Sequence, residues 1–157
     1  MNKIKITDLL IFVLITELVG AVSSLIAGGN FGAYYDTLTK PPLSPPGWLF
    51  PVAWGILYAL MGISAYLIDS SDDIARKSAL NLYWVQLAAN ALWSPVFFGL
   101  KSFGGAVAVV IVMLVLIVCM LILFRRIRPC AFWLNIPYLV WTLYAAYLTI
   151  GFYILNT

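Results

Sequence analysis

Five long apolar runs joined by short polar connections constrain this chain more than anything else in it. They lie at approximately 8–27, 47–68, 79–100, 104–124 and 131–155. Each is close to the roughly 20 residues that a helix needs to cross a hydrocarbon core of about 30 Å. Backbone polar groups in lipid must be satisfied within the segment or in a closed barrel, and the runs lack the alternating pattern of barrel strands. The expectation is an all-α membrane protein, a bundle of five transmembrane helices forming one domain over residues 1–157. Only 10% of the residues are charged and the mean hydropathy is +1.01, whereas a soluble domain is about one quarter charged.

The basic residues orient the bundle. With five spans, Lys3, Lys5, Arg76, Lys77, Arg125, Arg126 and Arg128 share one side, and only Lys40 and Lys101 lie on the other. The positive-inside rule puts the N-terminus in the cytoplasm of a bacterial-type plasma membrane. The long first loop, with Asn30, and the C-terminus then lie outside. The start of the chain also has the basic and apolar regions of a signal peptide, but Glu17 within the run and its near-full span length argue against cleavage. The net charge of +3 is spread over short loops, so no nucleic-acid partner is expected. The chain has no histidine, which removes His-ligated haem, His-based zinc and His general bases. Cys119 and Cys130 form no CxxC pair, and no metal site is expected.

The connection before the second run is rich in proline: Lys40-Pro41-Pro42-Leu43-Ser44-Pro45-Pro46-Gly47. Prolines at this density cannot be helix interior, because each lacks an amide donor and restricts the residue before it. Gly28–Pro46 therefore reads as a stiff lid, and Trp54, Tyr58 and Met61 fall on one helical face just beyond it. In the third run, Gln86, Asn90, Trp93 and Phe97 share a face, and polar side chains at that depth turn towards the bundle interior. The fourth run is apolar all round and suits lipid contact or packing. In the fifth, Tyr138, Trp141, Ala145 and Leu148 share a face, and Trp133 and Tyr153 suit interfacial anchoring. Trp141 lies too deep for an anchor, so it walls a pocket or packs between helices. Glu17, mid-way through the first run, is expected to face protein or water. It shares a side with Thr16, Gly20 and Ser24, and Gly20, Ser24 and Gly28 form a stripe that permits close helix approach.

Three stretches carry a resemblance. They are Tyr34-Tyr35-Asp36-x3-Lys40-Pro41-x3-Pro45-Pro46-Gly47-x6-Trp54-x3-Tyr58, Asn90-x2-Trp93-Ser94-Pro95-x-Phe97-Phe98-Gly99 and Pro137-Tyr138-Leu139-x-Trp141-x5-Tyr147-Leu148. In order and in position they resemble the TspO/MBR family of tryptophan-rich sensory proteins and translocator proteins. The resemblance implies a five-helix bundle, usually a homodimer, with a pocket beneath the first loop. It implies protoporphyrin IX or a related tetrapyrrole as ligand, with no required cofactor, and benzodiazepine-type synthetic ligands in animal members. Tyr35, Pro45, Trp54, Asn90, Trp93, Trp141 and Ala145 are the pocket residues by motif position. Tyr58, Phe97 and Tyr138 join them as ligand-binding candidates on the same helix faces. Light-dependent breakdown of protoporphyrin, reported for some bacterial members, would place catalytic roles on Trp54 and Trp141. The sterol-recognition pattern of the animal fifth helix ends in Lys or Arg after a Tyr, and this chain has neither beyond Arg128. The leading expectation is a porphyrin-binding membrane protein with a sensory, regulatory or transport role. The alternative is a proton-coupled small-molecule exporter working through Glu17.

Overall fold

The structure, a computed structural model, describes residues 5–28 and 31–157, with only the backbone of Phe31. Lys3 and Asn30, used above for orientation, lie outside the described residues. Six α-helices follow in order: α1 (Ile6–Ile26), α2 (Phe31–Thr37), α3 (Leu49–Asp69), α4 (Arg76–Ser94), α5 (Phe103–Ile127) and α6 (Pro129–Asn156). The spans expected from sequence coincide with α1, α3, α4, α5 and α6 to within a few residues, apart from the end of the third. By length and composition, α1, α3, α5 and α6 can each cross a membrane. α4 is less apolar because Arg76 and Lys77 open it and because it places Gln86 and Asn90 inside the bundle, where both are buried.

Two expectations need correction. The first loop is not loop throughout: its first half contains the two-turn helix α2, and the chain is non-helical from Leu38 to Trp48, the stretch that holds the prolines. The third span does not continue as α-helix to Leu100. After Ser94 it widens into a π-turn over Pro95–Gly99, closed by the Leu100 amide donating to the Pro95 carbonyl at 2.8 Å. Pro95 has no amide to give, which loosens the ladder at that point. The wider turn sends Phe97 into the core, 1% exposed, while Phe98 lines a cavity. A π-turn within an α-helix often marks a functional site.

The two ends of the bundle carry different chemistry. At one end the Lys5 amide donates to the Tyr66 hydroxyl at 2.8 Å, and Arg125 lies 5.6 Å above the Phe132 ring. At the other, Lys101 sits 4.8 Å above Tyr34, and the Thr39 amide donates to Asn156 at 2.9 Å. The start of α1 and the α3–α4 and α5–α6 connections thus share the basic end, and the lid, the α4–α5 turn and the C-terminus share the other.

Packing follows from small residues and buried polar pairs, because lipid offers little hydrophobic drive for helices to associate. A Cβ on Gly62 would lie 2.6 Å from the Val13 Cα, so α1 and α3 meet there at backbone contact. Thr16 and Tyr83 hydroxyls bond at 2.6 Å, and Ser23 donates to the Ala91 carbonyl at 2.6 Å, which ties α1 to α4. The other face of α1, with Leu10, Leu14, Leu18 and Leu25, is exposed and apolar, as a lipid-facing surface requires. The bundle core runs through Met61, Ile68, Tyr83, Ile117, Phe124 and Tyr138. A second cluster beneath the lid gathers Tyr35, Phe97, Phe103 and Phe152.

Candidate functional site

The lid is fastened from both sides. The Tyr35 hydroxyl donates to the Pro45 carbonyl at 2.8 Å, and Pro41 and Pro45 are buried while Pro42 and Pro46 face outward. Burial raises the Tyr35 phenol above its ordinary range, so it stays a neutral donor. From α6, Tyr144 donates to the Leu43 carbonyl at 2.6 Å and Tyr147 to the Pro42 carbonyl at 2.8 Å. The Asn156 side-chain amide adds a bond to the Thr39 carbonyl at 2.9 Å. Pro41 rests on Gly151, where an added Cβ would come within 2.6 Å of the proline ring. Leu43, at φ 64°, makes the sharp reversal between these contacts.

Beneath the lid is a cavity of about 280 Å³, near the lower end of the range for small-molecule sites. Tyr35, Gly32 and Gly47 form its roof, and Phe50, Pro51, Trp54, Gly55 and Tyr58 of α3 form one wall. Asn90, Trp93 and Ser94 of α4 face them, joined by Phe98 of the π-turn and Met113 of α5. α1 closes the remaining side with Glu17, Gly20, Ala21 and Ser24. Trp54 stacks on Tyr58, ring centres 5.4 Å apart, and Trp93 stacks on Phe97 at 5.0 Å.

A chain of hydrogen bonds supports the floor. Tyr58 donates to the Asn90 carbonyl oxygen at 2.6 Å, the Asn90 amide donates to Tyr138 at 3.0 Å, and Tyr138 donates to Gln86 at 2.7 Å. α3, α4 and α6 are thereby locked together through groups that could not be left unpaired in a low-dielectric interior. The chain also holds the Tyr58 ring against the wall. The indole N–H groups of Trp93 and Trp141 are buried with no hydrogen-bond partner among the described residues.

Of the residues singled out from sequence, Tyr35, Trp54, Tyr58, Asn90 and Trp93 line the cavity. Phe97 and Ala145 border a small adjoining void of about 10 Å³, together with Tyr35 and Trp93. Pro45 acts through its carbonyl, as the acceptor for Tyr35. Tyr138 stands behind the wall, fully buried, its ring edge towards Trp54 at 6.2 Å. Trp141 packs edge-on against Phe50 at 6.2 Å and Tyr144 at 5.5 Å, behind the cavity lining. Of the α1 wall, the sequence singled out Glu17 alone, as the working residue of the exporter alternative, and not among the residues expected to bind a tetrapyrrole. Gly20, Ala21 and Ser24 recur with it at helical spacing on one face, but Gly20 and Ser24 read as a helix-packing stripe.

This arrangement, a five-helix bundle with a lidded aromatic cavity, agrees with what comparison with known proteins finds. The sequence model of the TspO/MBR family matches residues 12–155. The chain belongs to the TspO/MBR family. It is 38% identical to Protein CrtK of Rhodobacter capsulatus over 80% of this chain and 79% of that protein. It is 32% identical to the tryptophan-rich protein TspO of Chlorobaculum tepidum over 99% of both chains. The translocator protein of Ovis aries is 34% identical over 87% of this chain and 83% of its own length. As a TspO/MBR member the protein is a multi-pass membrane protein embedded in a lipid bilayer. The motif residues fall on the lid, α3, α4 and α6, while Glu17 adds a carboxylate from α1.

Proposed function

We propose that this protein binds a tetrapyrrole such as protoporphyrin IX in the cavity beneath the lid, and that it works as a sensory, regulatory or transport protein. The observation that carries the reading is the cavity itself: stacked Trp54–Tyr58 and Trp93–Phe97 pairs on opposing helices under a fastened roof. Aromatic side chains offer large apolar faces with a polar tip, which suits a flat, mostly apolar macrocycle. The modest volume implies that a tetrapyrrole is seated edge-first, with part of the ring at the mouth between α1 and α3, where Ala21 and Pro51 are exposed. Benzodiazepine-type compounds are smaller and would compete for the same walls. The protein acts as a homodimer in a bacterial plasma membrane, with its N-terminus cytoplasmic and its lid outside.

Light-dependent breakdown of bound porphyrin belongs to the same reading. Trp54, in the wall, would then be the indole that meets excited ligand, and Trp141, packed behind Phe50, would act one ring further out. The placement of Glu17 in the cavity wall favours a second reading, proton-coupled export of a small molecule. Titration of purified protein with protoporphyrin IX, in the dark and under illumination, separates them. Saturable quenching that is lost in a folded Trp54→Ala, Trp141→Ala variant supports the first. Absence of saturable binding, with pH-driven efflux that Glu17→Gln abolishes, supports the second.

A further inference from the structure

Among the described residues Glu17 is the one acidic group that lines the cavity, and no cation stands opposite it. It stands about 16 Å along α1 from Ile6, at 1.5 Å per residue, which is mid-span. Among the described residues no Lys or Arg lines the cavity, and the chain contains no histidine. The ion pair found among the described residues joins Lys40 and Asp36 on the lid, at 2.8 Å. Among the described residues no hydrogen bond reaches the Glu17 carboxylate, whereas the neighbouring Tyr58 and Asn90 are held by each other. A carboxylate at this depth is complemented by protein partners or by what fills a cavity beside it. The protein leaves that complement to be supplied from within the cavity.

The walls around it name the chemistry. The carboxylate shares its cavity with the stacked faces of Trp54 and Tyr58, which attract a cation through the ring quadrupole. Ser24 lies two turns along the same face of α1 and adds a hydroxyl acceptor. A carboxylate beside indole and phenol faces, with an apolar remainder, is complementary to a protonated amine carried on an aromatic body.

We infer that Glu17 is a ligand-binding residue that selects for aromatic ligands bearing an ammonium group, the cation lying between its carboxylate and the Trp54–Tyr58 stack. The inference rests on the reading of this cavity as the ligand site, and it departs from that reading in the charge of the ligand. A porphyrin carrying propionates would keep those groups away from Glu17. The same carboxylate therefore discriminates between anionic and cationic ligands.

The test uses the full chain in nanodiscs of zwitterionic lipid, with binding to empty nanodiscs subtracted. The probes are naphthylethylamine, its neutral counterpart naphthylethanol, and protoporphyrin IX. Wild type should bind the amine at least tenfold more tightly than the alcohol, as one charge-assisted contact allows. Glu17→Gln should bring amine and alcohol to equal affinity, and Glu17→Asp should keep part of the preference. Saturable binding of the alcohol by Glu17→Gln shows that the variant cavity is intact. Equal binding of amine and alcohol by wild type, or an amine preference that survives in Glu17→Gln, overturns the inference. Saturable protoporphyrin binding in the same experiment would leave the tetrapyrrole reading standing when this one falls. Glu17-dependent amine binding without protoporphyrin binding upholds the inference and removes the tetrapyrrole.

Discussion

Replacing Gly20 with alanine should close the cavity from inside. A Cβ at that position would lie 2.1 Å from Tyr58 Cε2, 2.7 Å from Cδ2 and 2.8 Å from Cζ. Carbon atoms in contact prefer about 3.5–4.0 Å, so the ring must retreat by more than about 1 Å. It cannot move towards Trp54, already stacked on it with ring centres 5.4 Å apart. The open direction is the cavity that both residues line. Moving the ring also stretches its 2.6 Å bond to Asn90. Overpacking costs about 1–3 kcal/mol, and a lost intramembrane hydrogen bond adds roughly 0.6–1.7 kcal/mol. Removing a glycine from a helix returns about 0.5–1 kcal/mol, so the middle of these ranges leaves a net loss of about 2 kcal/mol. Reversible unfolding in mixed micelles, followed by circular dichroism, measures that loss, and protoporphyrin titration should show affinity down by at least about tenfold, the equivalent of 1.4 kcal/mol. Gly55→Ala is the control. Gly55 lines the same cavity, and an added Cβ there meets nothing within 4 Å. If Gly20→Ala matches Gly55→Ala in both stability and affinity, the packing argument for this wall is wrong.

Gly62→Ala should be costlier to stability than Gly20→Ala, about 3 kcal/mol, because its Cβ would meet Val13 Cα at 2.6 Å and backbone cannot step aside; the same unfolding assay ranks the two. Asn90→Leu leaves the Tyr58 and Tyr138 hydroxyls without their shared partner and should cost about 1–2 kcal/mol, with weaker ligand binding in titration. Tyr144→Phe with Tyr147→Phe removes two donors to the lid carbonyls of Leu43 and Pro42. At about 0.5–1.5 kcal/mol per bond, ligand release in stopped-flow should accelerate by roughly tenfold or more while the spans stay folded.

Helix existence was legible because the bilayer demands it: a run as apolar as Val107–Phe124 has no other fold open to it in lipid. The aromatic wall was legible too, since Trp54 and Tyr58, or Asn90 and Trp93, share a face by spacing alone. Two kinds of feature were not. The π-turn at Pro95–Gly99 shifts the register within a helix, and periodicity assumes that register constant. The role of α1 depended on a tertiary fact. Gly20 and Ser24 resemble a packing stripe in sequence, but the bulk of Tyr58 and the path of α4 leave a gap beside them that Glu17 and Ser24 line. Trp141 shows the converse, since its depth in α6 left wall and packing positions equally open. The intervening ring of Phe50, from another helix, puts it behind the lining.

Ligand protection of a cysteine in the roof tests the central claim most directly, that the cavity beneath the lid is where ligand binds. Gly32 lines the cavity with open space where a side chain would begin, while Leu43, on the same lid, is 83% exposed and does not line it. Single cysteines at these two positions, with Cys119 and Cys130 replaced by serine, are labelled with a water-soluble maleimide with and without saturating protoporphyrin IX. The account predicts labelling of Gly32→Cys slowed by tenfold or more, with Leu43→Cys unchanged. Equal labelling of Gly32→Cys with and without bound porphyrin would place the ligand elsewhere and contradict it.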